Sequence, residues 1–292
     1  MDVYAKRNTG YYWPDLEVMT RQARNDYLLN RFGETSENAC TVSPEIKDRF
    51  DQAGVAPASF RNVKDLEKLP VTRGSGLIEK RLAREDGWTQ ALYAAGVREG
   101  DAALITLSPA MSSLAMALDR SMRSLKVRSI PSGMASVEVQ ILVMKDLKVD
   151  VCVCAPDTLE ALADYAEAKD LDIKKELDLK IIFLVVEINP NKSPLILKER
   201  LEIPVRWAFG AAELGCLGYE CPFENGLHWP DNVLIEVVDP ENGCQLEPGQ
   251  VGEAVITSFD EDYPLFRYGS GKLAAYTDTP CPCGRTTNRW LE

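Results

Sequence analysis

The sequence predicts an α/β protein in which a mostly parallel sheet is followed by an antiparallel β lobe. Two observations predict this fold class. Between residues 85 and 186, helical patterns alternate with short apolar strands, as in βαβ units built on a parallel sheet. Beyond residue 230, apolar and polar residues alternate on both sides of a Pro- and Gly-containing turn at 239–243, which is typical of antiparallel strands.

The individual elements follow from periodicity and from the residues that begin or end them. In the α/β region, we predict helices over 85–95, 114–125, 137–147 and 159–169, and strands over 102–107, 127–130, 149–154 and 180–186. Nearer the N-terminus, Leu16, Met19, Ala23 and Tyr27 share one face of a predicted helix, which Gly33 is expected to end. A second helix is predicted over 45–53, and strands of the β lobe over 234–238 and 252–257. The expected domains are an α/β region over 1–229 and the β lobe over 230–292.

Composition excludes several classes of protein. The chain has 292 residues, 45% of them apolar, which is enough for one large domain or two intimate lobes. The formal net charge of −12 disfavours a non-specific binder of nucleic acids or anionic membranes. No apolar stretch approaches the roughly 20 residues that span a bilayer, and the N-terminus has no signal core. A soluble, cytoplasmic protein is therefore expected, with no nucleic-acid or membrane partner.

A series of short motifs carries a family signal. In chain order they are Leu69-Pro70-Val71-Thr72, the segment 94–101, Phe209-Gly210-Ala211-Ala212-Glu213, and the segments 226–228, 239–243, 249–253, 264–268 and 281–286. In this order they resemble the phenylacetate-CoA ligases, which belong to the adenylate-forming superfamily. Such enzymes activate a carboxylate with ATP to an acyl-adenylate and then transfer the acyl group to CoA.

The resemblance implies a fold and a site. The fold implied is that of the N-terminal domain of an adenylate-forming enzyme, with two α/β subdomains and a distorted β lobe, normally followed by a small mobile domain. Glu213 takes the family position that helps to hold Mg²⁺. An aryl or acyl group is expected in a mostly apolar pocket lined by Ser108, Met111, Phe209, Gly210, Ala211 and Ala212. The alternative is a collapsed crevice that Val185, Val186 and Ile188 fill as core residues. Relatives often form homodimers, so a second copy or a separate protein chain is a candidate partner.

Four departures from the family pattern affect nucleotide handling. The phosphate-binding loop is reduced to Gly74-Ser75-Gly76, and Val185-Val186-Glu187-Ile188 replaces the Gly-Ala-Glu-Pro motif that packs on adenine. Lys272, which has no acceptor, replaces the aspartate that binds the ribose hydroxyls. The sequence stops at Glu292, before the family's C-terminal domain. These losses predict a catalytically degenerate homologue that acts as a binding or partner module, with ATP, Mg²⁺ and CoA implied by resemblance only. The alternative is a working carboxylate-CoA ligase with an unusual nucleotide mode or a separate C-terminal chain.

A second constellation indicates a structural zinc site. Its candidate ligands are Cys221, His228, Cys281 and Cys283, with Cys216 in reserve. Three cysteines and one histidine form a common closed zinc set, and a glycine after Cys283 allows the Cys-Pro-Cys turn to bend. Some relatives carry a structural zinc at matching positions. Disulfides between the same cysteines are the alternative, which a reducing compartment disfavours. A zinc-dependent nucleic-acid binder is disfavoured by the acidic charge.

The remaining cysteines give no further indication of a site. Cys152 and Cys154 lie on a predicted strand, where we expect them to be core residues on opposite faces. Cys40 and Cys244 indicate nothing about function.

Overall fold

The chain forms two compact units. The computed structural model describes residues 7–73, 86–108, 113–187, 201, 203–211 and 214–291. The first unit contains the described residues of Met1–Trp13 and Leu82–Pro230, and the second those of Pro14–Arg81 and Asp231–Glu292.

The first unit is built on a mostly parallel sheet. Its strands are β1 (Ala102–Ile105), β2 (Arg128–Pro131), β3 (Val151–Cys154), β4 (Ile181–Glu187), β5 (Val205–Ala211), β6 (Gly215–Glu220) and β7 (Leu227–His228). They lie in the order β7-β6-β5-β4-β3-β1-β2. Strands β1 to β5 pair in parallel, whereas β6 and β7 pair antiparallel at one side. The predicted α/β fold class is confirmed.

Helices cover both faces of this sheet. The described helices of the unit are Asp86–Ala95, Ser113–Ser124, Val137–Asp146, Pro156–Ala168 and Ile173–Glu176. The first two contribute to one apolar core with Val151 and Val153, and the next two to a second core with Cys152 and Cys154. The prediction that Cys152 and Cys154 face opposite sides is therefore wrong. Residues two apart on a strand point to the same face, and both thiols are buried there.

The second unit combines N-terminal helices with antiparallel strands. Its helices are Pro14–Glu17, Arg21–Val42 and Pro44–Gln52, with 3₁₀ turns at Pro57–Ser59 and Val63–Lys68. Its strands are β8 (Val233–Val238), β9 (Gly252–Ser258), β10 (Leu265–Ala274), β11 (Tyr276–Thr277) and β12 (Arg289–Trp290). The order β10-β9-β8 is antiparallel throughout, and β11 pairs antiparallel with β12. A core that includes Phe32, Phe50, Phe60 and Phe266 joins helices to strands.

The prediction that Gly33 ends the first long helix is wrong. The helix begins after Thr20, whose hydroxyl accepts a hydrogen bond from the N–H of Ala23 at 3.2 Å, and it continues through Gly33 to Val42. Pro44 then begins the next helix. Burial of Phe32 in the aromatic core explains why tertiary packing overrides the low helix propensity of the glycine that follows it.

Candidate functional site

The predicted ligand pocket is only partly described by the structure. Ser108 is half-buried just beyond β1, and Phe209 and Gly210 lie on β5. Ala211 is described only as the last backbone position of β5, whereas Met111, Ala212 and Glu213 lie outside the described residues. The pocket and the Mg²⁺-binding role of Glu213 therefore stay predictions.

Gly210 occupies a position that tolerates only glycine. A Cβ atom there would lie 2.1 Å from the carbonyl oxygen of Gly215 and 2.9 Å from Cζ2 of the buried Trp88. The register between β5 and β6 shifts between Phe209 and Gly210, as it does at a β-bulge. In the motif at 209–213, which carries the family resemblance, the backbone of Gly210 thus lies so close to Gly215 that a side chain at Gly210 would not fit.

The positions that the resemblance assigns to nucleotide binding carry packed or cationic side chains. Val185 and Val186 are 4% and 2% exposed and belong to the cores on the two opposite faces of β4. Lys272 lies half-buried on β10, where its backbone N–H donates to Ser270 Oγ at 3.2 Å. Ile188 lies outside the described residues.

A cleft of about 820 Å³ lies in another part of the first unit. It is formed by the helices and turn of 163–175 together with Leu201 and Ile203. None of the predicted pocket residues lines this cleft.

Cys221 and His228 are placed by the end of β6 and by β7. His228 is opposite Tyr219 in the β6–β7 pairing, and the two rings stack with centroids 5.7 Å apart. Cys221 follows β6, and its carbonyl oxygen accepts from the N–H of Glu224 at 3.0 Å in a tight turn. Both Cys221 and His228 are completely buried.

Cys281 and Cys283 lie on a tight turn of the second unit. The N–H of Gly284 donates to the carbonyl oxygen of Cys281 at 3.0 Å, and Gly284 adopts a φ of +86°, which glycine favours. The N–H of Arg285 then donates to Cys283 Sγ at 3.4 Å. These hydrogen bonds fix the backbone that carries both cysteine side chains of the Cys-Pro-Cys segment.

These four side chains form a donor set that suits zinc. One ligand atom from each of Cys221, His228, Cys281 and Cys283 lies within 4.8 Å of the other three. Ligands of a tetrahedral Zn²⁺ ion, each at about 2.3 Å from the metal, lie roughly 4 Å apart, which is within this limit.

Cys216, the reserve ligand, lies outside this group. Its thiol donates to the carbonyl oxygen of Gly218 at 3.6 Å, and burial raises the pKa of Cys216 to about 12. Because the thiolate is the reactive form, this cysteine is expected to be inert.

Alkylation at pH 8 is therefore expected to modify the exposed Cys244 in the native protein and to leave Cys216 unmodified until the chain is unfolded. Peptide mass spectrometry after labelling with iodoacetamide measures both sites at once. Rapid native modification of Cys216 would contradict its described burial.

Comparisons with known proteins agree with this architecture. No protein-family model matches the sequence. The chain is 26% identical over 315 residues to a phenylacetate-coenzyme A ligase of Thermus thermophilus, a match that covers 94% of this chain and 71% of that protein. It is 23% identical over 298 residues to the phenylacetate-coenzyme A ligase of Pseudomonas putida, which covers 88% of this chain and 68% of that one.

A solved structure gives the same result for the fold. The crystal structure of 2-hydroxyisobutyryl-CoA ligase in complex with 2-HIB-AMP and CoA superposes with a TM-score of 0.86 at 19% identity, over 99% of this chain and 70% of that one. The fold is therefore that of the N-terminal domain of adenylate-forming CoA ligases. In sequence, the chain is similar to the phenylacetate-coenzyme A ligases, at 26% and 23% identity to these two relatives. Among the described helices, none has both the length and the apolar character needed to cross a bilayer.

Proposed function

We propose that the chain is a catalytically degenerate homologue of the ATP-dependent aryl- and acyl-CoA ligases that serves as a binding or partner module with a structural zinc. The observation that carries the metal half of this proposal is the set of four ligand atoms within 4.8 Å of one another. Cys221, His228, Cys281 and Cys283 supply all four positions of a tetrahedron, so the ion has no open position for a reacting water. Its role is then to fix the loops that carry its ligands.

Side chains at the predicted nucleotide-binding positions support the loss of ATP-dependent carboxylate activation. Val185 and Val186 place branched side chains, buried in the two cores, where the family has glycine and alanine. Lys272 offers donors in place of the carboxylate that accepts from the ribose hydroxyls. Both changes weaken binding of the adenosine part, independently of the shortened phosphate loop.

An aryl or acyl group remains the ligand class that the proposed pocket favours. The resemblance assigns this pocket to Ser108, Met111, Phe209, Gly210, Ala211 and Ala212, which are mostly apolar. Burial of apolar area contributes about 25 cal/mol per Å² and does not depend on phosphate donors. Retention of acyl binding is therefore compatible with loss of ATP binding.

The second candidate is a working carboxylate-CoA ligase. It is favoured by the TM-score of 0.86 to a ligase that holds an acyl-adenylate and CoA in its crystal structure. In that case ATP, Mg²⁺ and CoA bind here too, with Glu213 near the metal.

Thermal-shift measurements separate the two candidates. ATP with Mg²⁺ at millimolar concentration is expected to leave the melting temperature unchanged, because a ligand raises it only by binding the folded state. Pyrophosphate exchange in the presence of aryl acids is likewise expected to be absent. The Pseudomonas putida relative, assayed in parallel, serves as the positive control. A clear ATP shift together with exchange would establish the working ligase instead.

A further inference from the structure

The Cys281–Cys283 turn is tied to the first helix of the second unit by a buried ion pair. Arg285 Nε donates to Glu17 Oε2 at 2.6 Å, and the two side chains are 4% and 0% exposed. A buried charge that loses its partner is strongly destabilising, so the pair holds its two segments together firmly. Arg285 is the residue whose backbone N–H donates to Cys283 Sγ.

Backbone and hydroxyl contacts reinforce the same connection. The N–H of Thr286 donates to the carbonyl oxygen of Glu17 at 3.0 Å, and Thr286 Oγ1 donates to the carbonyl oxygen of Met19 at 2.6 Å. Arg24 bonds both to Thr286 Oγ1 at 3.1 Å and to the carbonyl oxygen of Leu16 at 2.7 Å. The residues that follow Cys283 are thus docked on residues 16–19 through side chain and backbone together.

A metal ligand that is oriented by a hydrogen bond from a neighbouring residue binds its metal more tightly. The N–H···S hydrogen bond favours the thiolate of Cys283 and fixes its direction, and both effects depend on the position of the Arg285 backbone. That position is set by the guanidinium on Glu17. We propose that Glu17, acting through Arg285, is a positioning residue for the Cys281–Cys283 half of the metal centre. This inference rests on the proposed zinc site.

Cobalt titration tests the proposal, because Co²⁺ bound by thiolates in a tetrahedral site gives visible and near-ultraviolet absorption. The metal-free full chain is titrated with Co²⁺, and zinc affinity is measured by competition with a chromophoric chelator. Glu17→Gln keeps the side-chain shape and removes the charge. We expect it to weaken metal binding about 10- to 100-fold, the usual effect of removing an outer partner.

A matched control exists in the same unit. Glu236 and Arg267 form another buried ion pair, at 3.0 Å with both side chains 1% exposed. Glu236→Gln is expected to lower thermal stability and to leave the cobalt spectrum and metal affinity unchanged. Thr286→Val is a second variant that removes the hydroxyl contacts to Met19 and Arg24 and leaves the Glu17–Arg285 ion pair in place, and it is expected to weaken metal binding in the same direction.

The outcomes are distinct. If Glu17→Gln and Thr286→Val bind cobalt with wild-type affinity and spectrum, Glu17 has only a folding role and the inference is wrong, even if both variants melt early. If metal affinity falls equally in Glu236→Gln, the effect is a general loss of stability and the inference is again wrong. If the wild-type chain shows no thiolate–cobalt absorption, the zinc site itself fails.

Discussion

Replacing His228 with alanine is expected to lower the free energy of unfolding by several kcal/mol and to abolish the response of the protein to chelators. Zinc at the proposed site would bind the folded chain, so its binding free energy would add directly to the stability of the fold. For a protein of this size, that loss lowers the melting temperature by roughly 10 °C. Elemental analysis of the wild-type protein should find about one zinc per chain, because the four ligands form one tetrahedral set.

A cysteine outside the donor set provides the control for this variant. Cys216 is buried like Cys221 and His228, but its thiol donates to a carbonyl oxygen and lies outside the donor set. Cys216→Ala is expected to cost about 1 kcal/mol, as ordinary core truncations do, and to keep the chelator response. Differential scanning calorimetry with and without a chelator measures both quantities. Wild-type protein that lacks zinc and melts at the same temperature with chelator would rule out the metal centre.

Much of the α/β region was predictable from local pattern alone. The helices at 86–95 and 137–146 and the strand at 181–187 lie within a few residues of their predicted bounds, because periodicity and Gly or Pro residues mark their ends. The helix through Gly33 was not predictable, since the packing of Phe32 that sustains it comes from residues distant in sequence. No strand was predicted over 215–220, where two glycines lower the local preference for β structure.

The four candidate ligands of the metal centre could be predicted from the sequence, but the residues that hold those ligands in place could not. Cysteines and a single histidine are rare enough that Cys221, His228, Cys281 and Cys283 stand out in the sequence. Glu17 and Arg285 carry no such signal, because surface helices and loops contain many charged residues and these two are separated by 268 positions. Which charged residues become buried partners is decided by the fold as a whole.

Replacing Arg267 with alanine is expected to destabilise the second unit by about 3–5 kcal/mol, the usual cost of leaving a buried charge without its partner. The guanidinium donates to Glu236 Oε2 at 3.0 Å and to the carbonyl oxygens of Leu69 and Gly243, each at 2.7 Å. Three of the motifs that carry the family resemblance, at 69–72, 239–243 and 264–268, therefore meet at this one side chain. Alanine leaves a buried carboxylate and two carbonyl groups without their donor.

The destabilisation by Arg267→Ala is also expected to depend on pH. Burial raises the pKa of Glu236, and Arg267 opposes that rise. A raised carboxyl pKa means that the folded state holds the proton to higher pH than the unfolded state, so stability falls as pH rises through this window. Without Arg267 the pKa of Glu236 rises further, so the loss of stability caused by Arg267→Ala should be larger at high pH than at low pH.

Urea denaturation of a matched set of variants checks these expectations. Glu236→Gln retains an acceptor for Arg267 and is expected to cost less than Arg267→Ala. The double variant Glu236→Leu/Arg267→Met removes both charges and should recover part of the loss, because well-packed apolar residues often replace a buried ion pair at little cost. A substitution at an uncritical site usually changes the free energy of unfolding by less than about 1 kcal/mol. If Arg267→Ala stays within that range of the wild type, the three motifs are joined by packing and not by this guanidinium.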